Sequence, residues 1–219
     1  MRRLSVVCAL VLVVPVIARA QDPVKIDAKH YQVLIDNEKV RVLHALVGPG
    51  EKSPMHEHPD HIVIPLANGK GRFTGADGKP VDREMKAETA IWNPAGKPAS
   101  ENSGTTRGDL ILVELKGNAA PTATVPPTRP GIKSVRLLEN PRADVIRATA
   151  ETTFAEAPGT THGYDQVVIA LSAAEFHLDV GGKVIDKWKR GDAAFIGRTV
   201  KHESKNVGKP VDFIIVAIK

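Results

Sequence analysis

The chain has 219 residues, 42% of them hydrophobic, a quarter charged and 4% aromatic, with a formal charge of +5 and one cysteine. Its lysines and arginines are interspersed with acidic residues and form no stripe, which argues against a nucleic-acid surface. A lone cysteine allows no internal disulfide and no thiolate metal cluster, so stability must come from a packed core, which a chain of this length can build as one large domain or two small ones.

At the start, Arg2 and Arg3 precede an apolar run over residues 4–17 that closes on Ala18-Arg19-Ala20. That order reads as an export signal, residues 1–20, cut before Gln21; the alternative is an uncleaved anchor, for which the run is short. Export places the protein in the periplasm or the medium, with no stable membrane anchor. Cys8 and three arginines leave with the signal, which lowers the charge from +5 to +2 and leaves a mature chain without a thiol.

Downstream, no segment carries a convincing helical periodicity, while short Val- and Ile-rich runs recur between turn signals, so the chain reads as all-β. Strands are expected over residues 40–47, 62–66, 90–92 and 110–115, with Asn68-Gly69 and Asp77-Gly78 as turns. In the second half they are expected over 166–171, 175–180, 183–188, 193–196 and 212–218, with Gly181-Gly182 as a tight hairpin. Between the halves, residues 117–133 hold Pro121, Pro126, Pro127 and Pro130 without apolar periodicity and read as a linker between domains over 21–116 and 134–219. The stretch from Asp60 to Leu66 matches Asp165 to Leu171 in order and spacing, which points to an internal duplication; one larger sandwich is the alternative.

The most specific pattern is Gly50, five residues, then His56-Glu57-His58, followed by a turn glycine at Gly69. It resembles the first motif of the cupin superfamily, in which histidines two apart on a strand face the barrel interior and meet one ion. The carboxylate that cupins place four or five residues later is absent, those positions being Ile62 and Val63. His61, at the mouth of the strand, would complete a three-histidine metal set with His56 and His58; otherwise it hydrogen-bonds at the rim. Pro94, Gly96 and Asn102 resemble the second motif, but its histidine slot holds Pro98. In the second half the losses are complementary: Thr160 replaces the first histidine, His162 fits the second and Gln166 takes the carboxylate position. Gly191, Gly197, His202 and Asn206 keep the second motif. The resemblance thus implies two small jelly-roll barrels in tandem, with His162, Gln166 and His202 converging as a polar ligand pocket.

Three functional readings stand at this point, because cupins host many chemistries on one fold. The first is a secreted two-barrel protein that binds a small polar molecule, through a divalent ion (Fe, Mn, Ni or Zn) in the first barrel. The second is a metal-dependent enzyme of dioxygenase or isomerase type, and the third a structural or storage-like protein whose barrels pair as a homo-oligomer. Trp92 and Trp188 read as packing, His44 and His177 as satisfied sheet histidines and His30 as exposed. Asp60, Asp165 and Glu114 could act as bases only if they point inward.

Overall fold

The computed structural model describes residues 22–118, Val125 and residues 129–219. The segment read as an export signal lies outside the described residues. After one helical turn, α1 (Pro23–Ile26), the first half runs β1 (Tyr31–Asp36), β2 (Val40–Val47), β3 (Lys52–Ser53), β4 (His61–Pro65), β5 (Gly69–Thr74), β6 (Pro80–Met85), β7 (Ile91–Asn93), β8 (Ala99–Asn102) and β9 (Gly108–Leu115). The second half repeats it as β10 (Ile132–Glu139), β11 (Ala143–Ala150), β12 (Ala155–Thr160), β13 (Asp165–Ala170), β14 (Ala174–Val180), β15 (Lys183–Trp188), β16 (Ala193–Ile196), β17 (His202–Asn206) and β18 (Val211–Ile218).

Each half closes a five-stranded sheet on a four-stranded one. The orders are β1-β2-β9-β4-β7 with β3-β8-β5-β6, then β10-β11-β18-β13-β16 with β12-β17-β14-β15, so every strand has a counterpart nine places on. The duplication reaches details: β1 slips register between Val33 and Ile35, and β10 between Arg136 and Leu138. Asn102 donates from its amide to the carbonyls of Val47 and Thr106, and Asn206 donates in the same way to Ala150 and Lys209. The hairpin at Gly181-Gly182 has both glycines at positive φ, 61° and 87°, which β-carbons would strain.

A strand turns alternate residues to opposite faces, and here both faces of the five-stranded sheets are apolar. On β4, Ile62 and Ile64 face one way and His61 and Val63 the other; on β9, Ile111, Val113 and Leu115 oppose Leu110, Leu112 and Glu114. The outward set packs against its counterparts in the second half, Val145, Val167, Ile169, Ile214 and Val216 among them, in one core that joins the barrels. The inward set lines the barrel. Arg142 with Asp60, Arg147 with Glu88 and Arg190 with Asp109 add ion pairs across the joint. The alternative of one large sandwich is therefore replaced by two barrels that share a wall.

The interiors differ. The second barrel is filled by Phe154, Phe176, Trp188 and Phe213, with ring centroids 4.9–6.5 Å apart along the chain of contacts. Val125, from the proline-rich segment, is 2% exposed within this core, and Ile132 and Lys133 at that segment's end open β10. The first barrel has only a small apolar cluster around Tyr31, Leu43, Ala45, Val63 and Leu112.

Ile64 is fully buried in the joint, so Ile64→Ala is expected to cost about 2–5 kcal/mol in chemical denaturation. A loss below about 1 kcal/mol would mean that the two sheets do not pack tightly.

Candidate functional site

The space left in the first barrel is a cavity of about 550 Å³, a size that suits a small organic ligand. Its walls are largely apolar, with Val63, Met85, Ile91, Leu110 and Leu112 contributing, and His56, His58 and His61 line it together. At its rim Arg83 lies over the Phe73 ring, 5.7 Å from the centroid, and donates to Asn93 Oδ1 at 3.0 Å. Among the described residues no carboxylate pairs with this guanidinium.

The three histidines are buried, and each δ nitrogen lies beside an oxygen that can only accept. His56 Nδ1 is 2.6 Å from the Pro54 carbonyl, His58 Nδ1 is 2.6 Å from Glu114 Oε1 and His61 Nδ1 is 2.8 Å from the Pro59 carbonyl. Hydrogen bonding therefore assigns the proton to Nδ1 in each ring and leaves the ε nitrogens as lone pairs. The ε nitrogens of His56 and His58 lie 2.8 Å apart, and the Tyr31 hydroxyl oxygen lies 3.2 Å from His56 Nε2. Two lone pairs that close repel unless one positive charge, a proton or a metal ion, lies between them. Burial lowers the basicity of His56. It also takes His61, with the neighbouring His58 adding to the effect, down to about 4, and pushes the Tyr31 phenol up to about 12.

Behind His58 stands Glu114, 1% exposed, where a solvated carboxylate would be the ordinary expectation. Burial opposes its charge, but His58 and the Arg41 guanidinium outweigh burial and hold it below the usual carboxylate range. Arg41 reaches on to Asp22, which caps α1, so a polar line runs from the cavity floor to the surface. Asp60 and Asp165 serve elsewhere: Asp60 accepts from the Ala95 N–H and pairs with Arg142, and Asp165 accepts from the Arg198 N–H.

His61 lies beside His58, with ring centroids 4.8 Å apart. Among the described residues, the set whose potential ligand atoms all fall within 4.8 Å of one another is a different one: Glu156, His162 and His202 in the second barrel. His162 and His202 are thus together, their rings 4.7 Å apart, and Gln166 is buried on the interior face of the same barrel. Motif reasoning missed Tyr31, Arg41 and Glu156. Tyr31 and Arg41 precede the motif on other strands, and Glu156 lies four residues before Thr160, the first-histidine position, where the motif carries no ligand.

His30, expected to be exposed, is 6% exposed and held between Asp27 Oδ2 at 2.9 Å and Glu51 Oε2 at 3.1 Å, because the turn after α1 folds it under the barrel edge. His44 pairs with Asp109, and His177 lies between Asp186 and Glu203, as satisfied sheet histidines. Trp188 packs in the second barrel, while Trp92 lies partly buried at the joint.

No protein-family profile matches the sequence, and no curated protein matches it. Solved structures do match in fold. AerE from Microcystis aeruginosa superposes with a TM-score of 0.68 at 12% identity over 91% of this chain and 97% of that one. Salicylate 1,2-dioxygenase from Pseudaminobacter salicylatoxidans gives 0.61 at 10% identity over 89% and 78%. A cupin 2 conserved barrel domain protein from Leptotrichia buccalis gives 0.57 at 15% identity over 86% and 88%. At such identities the likeness is one of fold: the chain is all-β and built as two cupin-type barrels.

Glu114→Gln keeps the shape but leaves Arg41 without its buried carboxylate. It is expected to cost about 3 kcal/mol in urea denaturation, as removal of one partner of a buried pair does. A change under about 1 kcal/mol would show that the pair does not hold His58 in place.

Proposed function

We propose that this chain is an exported two-barrel protein whose first barrel binds a small organic molecule with a polar end, which rests on His56 and His58. The observation that carries this is the cavity of about 550 Å³ with apolar walls and a floor of buried histidines. Arg83 at the rim, paired with an amide rather than a carboxylate, favours a ligand with an acidic group. One fold neighbour, the salicylate dioxygenase, was solved with gentisate, and a small aromatic acid of that kind matches the size and chemistry of this cavity.

A divalent ion belongs to this reading. His56 and His58 offer convergent lone pairs, with His61 alongside, and each ring is oriented by an oxygen at its δ nitrogen, as metal-bound imidazoles are. Such an ion (Fe, Mn, Ni or Zn) would supply open positions for an acidic ligand's oxygens. In this reading Glu114 holds His58 and the Pro54 carbonyl holds His56, each by its δ proton, and the apolar wall excludes water from the ligand. A metal-dependent enzyme is the second reading, favoured by the Glu114–His58 pair. The segment read as an export signal supports action in the periplasm or medium. Among the described residues, no helix is long and apolar enough to cross a membrane.

The test combines thermal shift with elemental analysis on tag-free protein. A panel of small aromatic and aliphatic acids is expected to contain a binder that, at about 100-fold its dissociation constant, raises Tm by roughly 5–10 °C. The shift should vanish in His56→Ala/His58→Ala and in Ala45→Phe, which fills the cavity. If no acid shifts the native protein, or if the shift persists in both variants, the cavity is not the binding site.

A further inference from the structure

The second barrel carries a polar cluster that the first-barrel cavity does not use. Glu156 on β12, His162 between β12 and β13, and His202 at the start of β17 each bring a ligand atom within 4.8 Å of the other two. We propose that these three residues form a separate, buried metal site for one divalent ion of the zinc, cobalt or nickel class, in which Glu156 supplies the negative ligand.

Four observations support it. The first is the state of the ligand atoms. His202 has a side chain with no exposed surface, its Nδ1 lies 3.1 Å from the Val200 carbonyl and is therefore the protonated nitrogen, and its Nε2 has no hydrogen-bond partner. His162 Nε2 and Gln166 Oε1 are also buried without a partner. Buried polar atoms rarely remain so, because each forfeits its hydration with nothing in return.

The second observation is spacing. The carboxylate oxygens of Glu156 stand 3.5 Å from His162 Nε2 and 3.4 Å from His202 Nε2. The first distance runs to Oε1 and the second to Oε2, so the carboxylate faces both nitrogens at once, and the three ligand atoms lie close enough together to meet one ion with bonds of about 2.0–2.2 Å.

The third is support from behind. Arg129 donates to Glu156 Oε1 at 3.0 Å and Ser204 to Oε2 at 2.6 Å, which fixes the carboxylate and leaves each oxygen a further lone pair.

The fourth is where the residues come from. Glu156 pairs across the sheet with Ser204, and its counterpart in the first barrel is Ser53, which pairs with Ser100. His202, four residues before Asn206, corresponds to Pro98, four before Asn102. The first barrel thus cannot build this set. In the second, the strand position where a motif carboxylate would stand holds Gln166, and the negative charge stands instead on β12, in the other sheet of the barrel.

The experiment uses the full mature chain carrying His56→Ala/His58→Ala, so that only the second barrel reports, with the unmodified chain alongside. Both are stripped with chelator, titrated with zinc or with cobalt as a spectroscopic probe, desalted and assayed for metal. One retained equivalent per double-variant chain, a visible cobalt band of low coordination number and a rise in Tm are expected. Glu156→Gln, which is isosteric, should weaken cobalt binding at least about tenfold with an unchanged far-UV spectrum, and His162→Ala/His202→Ala should abolish it. Folded protein that takes up no metal, or uptake that ignores both sets of second-barrel substitutions, overturns the proposal. Should the double-alanine variants misfold, the unmodified chain against Glu156→Gln decides it by the equivalents lost. Failure of acid binding in the first barrel leaves this result untouched, because the two sites share no residue.

Discussion

Everything in this molecule hangs on one wall with two dry faces. The five-stranded sheet of the first half presents Val40, Val42, Ile62, Ile64, Ile111 and Val113 to the other half and the alternate residues to its own barrel, and the second sheet answers with Val145, Val167, Ile169, Ile214 and Val216. Both faces are largely buried. Each of these strands must therefore be apolar throughout, and any polar residue on one of them is there because a partner awaits it. Glu114 among Leu112, Val113 and Leu115 is such a residue, held by His58 and Arg41.

That constraint decides what could be read from the sequence. The wall strands were legible because runs such as Ile62–Ile64 and Ile214–Val216 can hardly be anything else, and the hairpin at Gly181-Gly182 announced its own geometry. The shorter strands of the outer sheets were harder. β3 has two residues, β8 reads Ala-Ser-Glu-Asn, and β6 is almost wholly exposed, so none has a hydrophobic pattern; cross-strand pairing alone creates them. The same holds for the site. His56 and His58 were visible because their ligand spacing is local, whereas Tyr31, Arg41 and Glu156 reach their clusters only through the register between strands distant in sequence. His30 was misjudged because its environment is made by a turn and by Glu51, twenty-one residues on.

Duplication gave the two barrels the same set of inward positions, and the halves have filled them differently. Where the first has Arg41, His61 and Glu114, the second has Asp144, Gln166 and Ala217, as the matched registers of β2, β4 and β9 with β11, β13 and β18 require. The first barrel keeps its interior open and its histidines oriented by oxygens. The second packs four aromatic rings into the equivalent volume and gathers its polar atoms at one end. One half resembles a receptacle, the other a filled body with a small polar knot, and the contrast follows from a handful of side chains on a common frame.

The asparagines at 102 and 206 show how such divergence was tolerated. Each ties the end of an inner strand to a loop through bonds to main-chain carbonyls, atoms that every residue carries whatever its side chain. A clamp that grips only backbone is blind to the residues around it. Neighbouring positions in each barrel were therefore free to exchange histidine for proline or serine for glutamate while the strand ends stayed put, and a copied frame could acquire a second chemistry one substitution at a time.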